Sequence, residues 1–308
     1  MTAAVKPLKL GCSYGVAFSP DGTRLAVSGH SLTLWDVAAR QKLWRGKFIA
    51  HTSSMVFSPD GTQLAIKSTS GQIAVVDAQS GQLAFNFANR KDGEGSDPAW
   101  SPCGRYLADG GWNGRLQVRE AQTGKVVFTQ DYPGEMLRAV QAIAGGQRLL
   151  VLHGVKTVEE GENQPPDYCT MWEWPLQAGT GKVVLTLPGL KSCAVSPDGA
   201  LLAVLHHAGG SEYVSVYALA SGGLLASVAV EAGGGTGDEL AWLPDSSALG
   251  RIGKRKLLFY GWPGLAVRQQ LDFTYPCALA FLPGTSLAAI GSWEDGMLMD
   301  LNEQLETT

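Results

Sequence analysis

The chain has 308 residues, 45% of them hydrophobic, with a formal net charge of -4 and a pI near 5.8. That balance argues against a nucleic-acid binder, which needs a concentrated basic footprint. No apolar run approaches membrane-spanning length, and no basic stretch followed by an apolar core marks a secretion signal. Five scattered cysteines without CxxC spacing fit a reducing compartment, so the expectation is a cytoplasmic protein with no nucleic-acid or membrane partner.

In chain order, the apolar run Gly15-Val16-Ala17-Phe18 meets the turn Ser19-Pro20-Asp21-Gly22, resumes at Arg24 to Ser28 and continues as Leu32-Thr33-Leu34-Trp35-Asp36. Proline presets φ at the second turn position and Asp-Gly completes the reversal, so the flanking runs fold as a hairpin. The turn returns as Ser58-Pro59-Asp60-Gly61, Ser101-Pro102-Cys103-Gly104 and Ser196-Pro197-Asp198-Gly199. Worn copies stand at Ala144-Gly145-Gly146-Gln147, Leu243-Pro244-Asp245-Ser246 and Leu282-Pro283-Gly284-Thr285. Steps between successive turns are 39, 43, 43, 52, 47 and 39 residues, and a period in the forties signals a repeat array. Each unit adds a second turn, such as Ala78-Gln79-Ser80-Gly81, and a fourth, more polar run, such as Gln82 to Phe87.

The runs are short, rich in Val, Leu, Ile and aromatics, and interrupted by Gly or Pro, which is the pattern of strands. The inner runs read as continuously apolar and the fourth alternates, as for sheets stacked face to face with their last strand at the rim. The prediction is an all-β, seven-bladed β-propeller with four antiparallel strands per blade, residues 1–308 forming one domain. Only seven residues follow Leu301, so Val5 to Leu10 is expected to close the last blade, with Gln304 to Thr308 as the competing strand. Pro7 suits a rim strand, which can spare a donor.

The Ser-Pro-Asp-Gly turns, Leu34-Trp35-Asp36 with its echoes Val76-Asp77 and Met299-Asp300, and the Ser/Thr-Gly after the third strand make the chain similar to the WD-repeat family over essentially its whole length. It departs from that pattern where the usual Gly-His survives only as Ala50-His51, and where Ser70-Gly71 or Asn113-Gly114 replaces the turn aspartate. The resemblance implies a rigid platform for binding proteins, without catalysis. Fold alone does not establish this, because propellers also host hydrolases, lactonases and oxidoreductases.

Four insertions, at 89–97, 155–167, 207–212 and 231–238, all fall on connections expected to emerge on one face. Long loops gathered on a rigid scaffold are where binding tends to sit. Asp92, Glu94, Glu159, Glu160, Glu162, Asp167, Glu212, Glu231 and Asp238 would give that face an acidic rim suited to a basic patch on a protein partner. Solvated loop charges are the plainer explanation. Trp112 and Trp293, placed in turns between second and third strands, are candidate interface anchors, with capping of a neighbouring blade as the alternative.

Asp109 and Arg251 break the apolar column of Val27, Ile66 and Val204. A charge inside a packed strand must find a partner or reach water, and a pair within its own blade is the expectation for each. Arg251, Lys254, Arg255 and Lys256 form the one basic cluster, without the interleaved aromatics of a nucleic-acid platform. His153 and His206 share a column in successive blades, which raises the idea of an imidazole-bound metal, but they come with no patterned carboxylate; no metal or cofactor is expected. Nucleophile elbows, zinc motifs and phosphate loops are all missing.

These observations lead to a non-catalytic module, monomeric on its own, that holds one protein partner on the insertion-bearing face. A narrower version is a stand-alone antagonist or immunity-type protein. The competing expectation is a lactonase-like hydrolase with its site at the axial mouth, drawing on His153, His206, Asp109 and Arg251.

Overall fold

The computed structural model describes residues 6–87, 93–94, 96–143, 147–155, 166–232 and 239–302. They form seven antiparallel sheets arranged as a seven-bladed β-propeller. Blade 1 runs outward from the axis as Gly15–Phe18, Arg24–Ser28, Leu32–Asp36 and Gln41–Gly46, and blade 2 as Thr52–Phe57, Gln63–Ser68, Ile73–Asp77 and Leu83–Phe87. Blades 3 to 6 repeat the order from the inner strands Ala99–Trp100, Glu135–Ala142, Leu190–Val195 and Leu240–Trp242.

The turn chemistry explains the recurrence. In blade 1 the Ser19 hydroxyl donates to Asp21 while accepting the Arg24 amide, and Asp21 also accepts the Thr23 amide. Ser58 and Asp60 repeat the arrangement in blade 2, and Ser196 and Asp198 in blade 5. These bonds hold the three carboxyls below their usual range, the serine hydroxyl contributing most. Where Cys103 replaces the aspartate, Ser101 still accepts the Tyr106 amide.

Apolar side chains from both faces of each sheet meet those of the next, giving an inter-blade core at every junction. Leu34 and Ala26 of blade 1 pack with Phe57 and Leu64 of blade 2, and the series continues until Leu282, Ala289 and Leu298 of blade 7 meet Leu25, Val27 and Trp35 of blade 1. Indole N–H groups add cross-blade bonds: Trp100 donates to the Val56 carbonyl and Trp242 to that of Ala194, both at 3.1 Å. Outer strands such as Val126–Asp131 and Leu224–Val230 alternate exposed and half-buried residues, as expected at a rim.

Blade 7 shows how the ring closes. Its inner strand, Pro276–Phe281, pairs with the first half of Leu287–Asp300, and the second half of that strand pairs with Leu8–Ser13. The Leu301 amide bonds to the Ser286 carbonyl, so the two halves lie side by side. The N-terminal strand thus completes the last blade as expected; among the described residues it begins at Leu8, after Pro7, which has no N–H for the ladder, and Val5 lies outside the described residues. Gly11, at φ 75°, then shifts the register and carries the strand on to Ser13. Residues 304–308, the competing closure, lie outside the described residues.

One further expectation changes. Residues 207–212 are not a loop insertion: the second and third strands of blade 5 extend to Ala208 and from Ser211, joined by Gly209 and Gly210 at φ 57° and 82°. Paired positive φ is the hairpin geometry that glycine supplies most readily. Trp293 keeps its expected place: the halves of Leu287–Asp300 that pair with Pro276–Phe281 and with Leu8–Ser13 fold back on each other, and Trp293 lies where the first passes into the second.

Candidate functional site

The inner strands all start on one face, where the inter-blade connections and the second-to-third-strand turns emerge. There the axis opens into a cavity of about 520 Å³ lined by residues from all seven blades, including Tyr14, Trp112, Arg138, Lys191 and Cys277. Beyond it, toward the Ser-Pro-Asp-Gly turns, lies a second space of about 450 Å³ walled by Phe57, Pro59, Trp100, Pro197 and Trp242. The channel therefore has a polar chamber backed by a largely apolar one, with Asp97 touching both.

One ring of equivalent residues governs the polar chamber. The position three residues before the end of each inner run is Gly15, Ser54, Asp97, Ala139, Ser192, Glu239 and Ala278 in blades 1 to 7, and every one lines the cavity. Five are small and leave the space open. The two carboxylates come from blades 3 and 6, on nearly opposite sides of the ring. Both line the chamber, Asp97 exposed to channel solvent and Glu239 half-buried, within a ring of protein contributed by seven blades. Desolvation therefore raises the Asp97 carboxyl, despite the nearby Ser54 hydroxyl and Lys67 charge. Glu239 is pushed up to about 8, first by desolvation and then by the Asp97 charge, with the Leu279 amide a partial offset. The Cys277 thiol rises to about 12 through burial, Glu239 and Cys12.

The positive groups of the wall, Arg138 and Lys191, and the nearby Lys67 are committed elsewhere. The Arg138 guanidinium bonds to the Leu190 carbonyl and lies 3.9 Å from Asp167. Lys191 pairs with Glu212. Lys67, 1% exposed, directs its ammonium to Asp109 at 2.6 Å, the Ser96 carbonyl at 3.0 Å and the Gly110 carbonyl at 2.8 Å, which uses all three of its donors.

A pH dependence follows. Because Glu239 binds its proton more tightly in the folded state, its contribution to stability is complete below its usual value of 4.5 and is lost as pH rises through about 8. Glu239→Gln should melt together with the parent at pH 5 and several degrees above it at pH 8.5. The gap is on the order of 2 kcal/mol, less than full linkage because channel water screens the carboxylate. Equal melting temperatures at both pH values would remove the desolvated carboxylate from the account.

Asp109 and Arg251 do find partners, but across blades instead of within them. Asp109 of blade 3 meets Lys67 of blade 2. Arg251 of blade 6 meets Glu212 of blade 5 at 3.0 Å and also donates to the Glu231 carbonyl. The reason is geometric: side chains of a second strand project into the gap between stacked sheets, where the nearest groups belong to the adjoining blade. Arg251, Glu212 and Asp167 are buried, at 1%, 2% and 3% exposure, and so leave the exposed rim suggested by the sequence. Glu94 is half-buried, and Glu231 is exposed and paired with Lys256 at 2.7 Å. Asp92, Glu159, Glu160, Glu162 and Asp238 lie outside the described residues.

The histidines are internal. His153 is fully buried, with Nδ1 2.9 Å from Glu135 and Nε2 2.8 Å from the Thr170 hydroxyl, which also accepts the Trp172 indole. Tyr168 stacks on its ring and donates to Glu135. Carboxylate, imidazole and hydroxyl form a relay of the right order for nucleophilic catalysis, but no substrate can reach a threonine with 4% exposure. His206 bonds through Nε2 to Ser215 in its own blade. Burial lowers both imidazole pKa values. Among the described residues no group of three or more His, Cys, Asp or Glu could hold a metal ion. None of His153, His206, Asp109 and Arg251 lines the axial chamber.

Trp112 is 44% exposed at the cavity wall, and Trp293 is 52% exposed. Trp293 packs edge-on against Tyr14 at 5.7 Å, Tyr14 against His30 at 6.4 Å, and the Trp293 amide bonds to the carbonyl of Tyr275, itself 52% exposed. The result is an aromatic patch beside the mouth. Sequence reasoning missed Tyr14 and Tyr275, and it missed Asp97 and Glu239. The available signal was the repeated acid-x-Ala-Trp of Asp97-Pro98-Ala99-Trp100 and Glu239-Leu240-Ala241-Trp242.

Comparison with solved structures places the chain beside hydrazine synthase of Kuenenia stuttgartiensis, with a TM-score of 0.75, 16% identity and 98% of each chain covered. The beta-propeller domain of Cps50 (Swd1) from Myceliophteria thermophila is similar with a TM-score of 0.75, 12% identity and coverage of 96% of this chain and 98% of that one. No family model and no curated protein matches the sequence. At these identities the likeness concerns the propeller fold alone.

Proposed function

We propose that the chain is a protein-binding platform of WD-repeat type, engaging one protein partner through the face onto which the axial chamber opens. The observation that carries this reading is the aromatic patch of Tyr14, His30, Tyr275 and Trp293, with Trp112 at the cavity wall. Large aromatics on a rigid support lose little entropy on binding and dominate interface energies. Other exposed apolar residues, such as Leu43, Val183 and Leu224, are spread over the outer strands of different blades. The partner takes its place by occupying this face, as an antagonist or immunity-type protein would.

Affinity capture with the tagged chain from its native cells tests the reading. A stoichiometric protein should be retained, and Trp293→Ala and Trp112→Ala should each weaken its binding by about 30-fold, the loss of a hot spot worth roughly 2 kcal/mol. Leu224→Ala on an outer strand should bind as the parent does. Absence of any stoichiometric protein, or equal capture by all variants, rejects the platform.

The open polar chamber favours a second reading, small-molecule chemistry at the axis, with Asp97 and Glu239 as acid and base in place of the histidines first suggested by sequence. Loss of a turnover activity in Glu239→Gln, with protein capture unaffected, would select it.

A further inference from the structure

We propose that the polar half of the axial channel is a binding site for an organic cation, a primary ammonium or guanidinium group seated between Asp97 and Glu239. It extends the platform reading by naming a ligand chemistry. Its test needs no protein partner, so failure of the site and failure of the platform remain distinct results.

The chamber, at about 520 Å³, has the size of a small-ligand pocket. Its two acidic ring positions have no cationic partner among the described residues, because Arg138, Lys191 and Lys67 are held by Asp167, Glu212 and Asp109. Ser54, in the ring beside Asp97, is 8% exposed, and its hydroxyl has no hydrogen-bond partner of full geometry. An ammonium group brings three donors, and Asp97, Glu239 and Ser54 offer three acceptor groups. Hard divalent metals instead need six or more oxygens or a retained water shell, and among the described residues no three-residue ligand group is assembled. Anions are repelled by the carboxylate pair.

The surroundings suit the same ligand. Trp112 and Tyr14, both in the chamber lining, can cover an alkyl stem or face the cation with their rings. The space behind, walled by Phe57, Trp100 and Trp242, offers an apolar surface for the stem of such a ligand. Without a cation beside it Glu239, its carboxyl pushed up to about 8, is protonated at neutral pH. A bound cation displaces that proton. Other charged or titratable groups near the pair are Arg138, Lys191 and Lys67, each held by the interactions given above, Cys277, whose thiol donates to the Ser13 carbonyl, and Glu94, whose carboxyl burial raises.

Isothermal titration calorimetry on the intact chain tests the site with 1,4-diaminobutane, with a neutral peptide carrying one lysine, and with the same peptide carrying norleucine. 1,4-Butanediol and calcium chloride serve as controls. At least one ammonium probe should bind, about tenfold more tightly for each pH unit gained below 8, and release close to one proton at pH 7 when buffers of different ionisation enthalpy are compared. Tighter binding of the diamine marks a free amine as ligand, and tighter binding of the lysine peptide marks a side chain of a protein. Glu239→Gln and Asp97→Asn should each weaken binding at least tenfold. Ammonium probes that fail to bind at millimolar concentration, calcium binding in their place, norleucine equal to lysine, or binding without proton release each overturn the proposal. The proton count uses the unaltered protein, so it decides even if a variant fails to fold.

Discussion

Lys67→Ala is expected to destabilise the protein by about 3–5 kcal/mol, the range seen when one partner of a buried ion pair is removed. For a chain of this size that is a drop in melting temperature of roughly 6–10 °C. The lysine is 1% exposed and ties two blades together, reaching from the second strand of blade 2 to Asp109 and two carbonyls around blade 3. Even with that ammonium 2.6 Å away, desolvation leaves the Asp109 carboxyl above its usual range. The pair is therefore not a strong net stabiliser, and the large effect comes from stranding the partner. Lys67→Met combined with Asp109→Leu should accordingly regain most of the loss, which a double-mutant cycle in thermal unfolding would measure. A single mutant within 1 kcal/mol of the parent would show that water reaches the site and screens the charge.

Glu212→Leu should have a comparable effect, again about 3–5 kcal/mol. Glu212 accepts Lys191 at one carboxylate oxygen and Arg251 at the other, and both it and Arg251 are buried. Without the carboxylate, Arg251 keeps the Glu231 carbonyl and an Nε that already lacks a partner. Lys191→Ala should be milder, about 1 kcal/mol, because that side chain is 35% exposed and Arg251 still compensates the carboxylate. Denaturant titration gives the order; if Lys191→Ala proves as damaging as Glu212→Leu, the assignment of Arg251 as principal partner fails.

The two pairs show where sequence reading reached its limit. Asp109 and Arg251 stand out because they interrupt an apolar column, and the demand for a partner follows from the cost of burying charge. The partners lie 42 and 39 positions away, one blade removed. Lys67 carried a readable signal, since it directly follows Ile66 of that same column in the preceding blade. Glu212 carried less: in sequence it reads as a loop charge, and only the extended Gly209-Gly210 hairpin turns it into a strand residue facing blade 6.

What the amino-acid order by itself determined is everything that acts within one repeat. The Ser-Pro-Asp-Gly turn, the hairpins it creates, the apolar inner strands and the number of blades depend on contacts a few residues apart, so local pattern is enough to read them. Ring closure by the N-terminal strand was legible too, because a missing outer strand at one end and a spare one at the other leave one economical solution. The axial chamber, the placement of Asp97 and Glu239 on opposite walls and the cross-blade ion pairs were decided only by tertiary structure. They depend on closing seven sheets around one axis, which brings together residues that no local period relates.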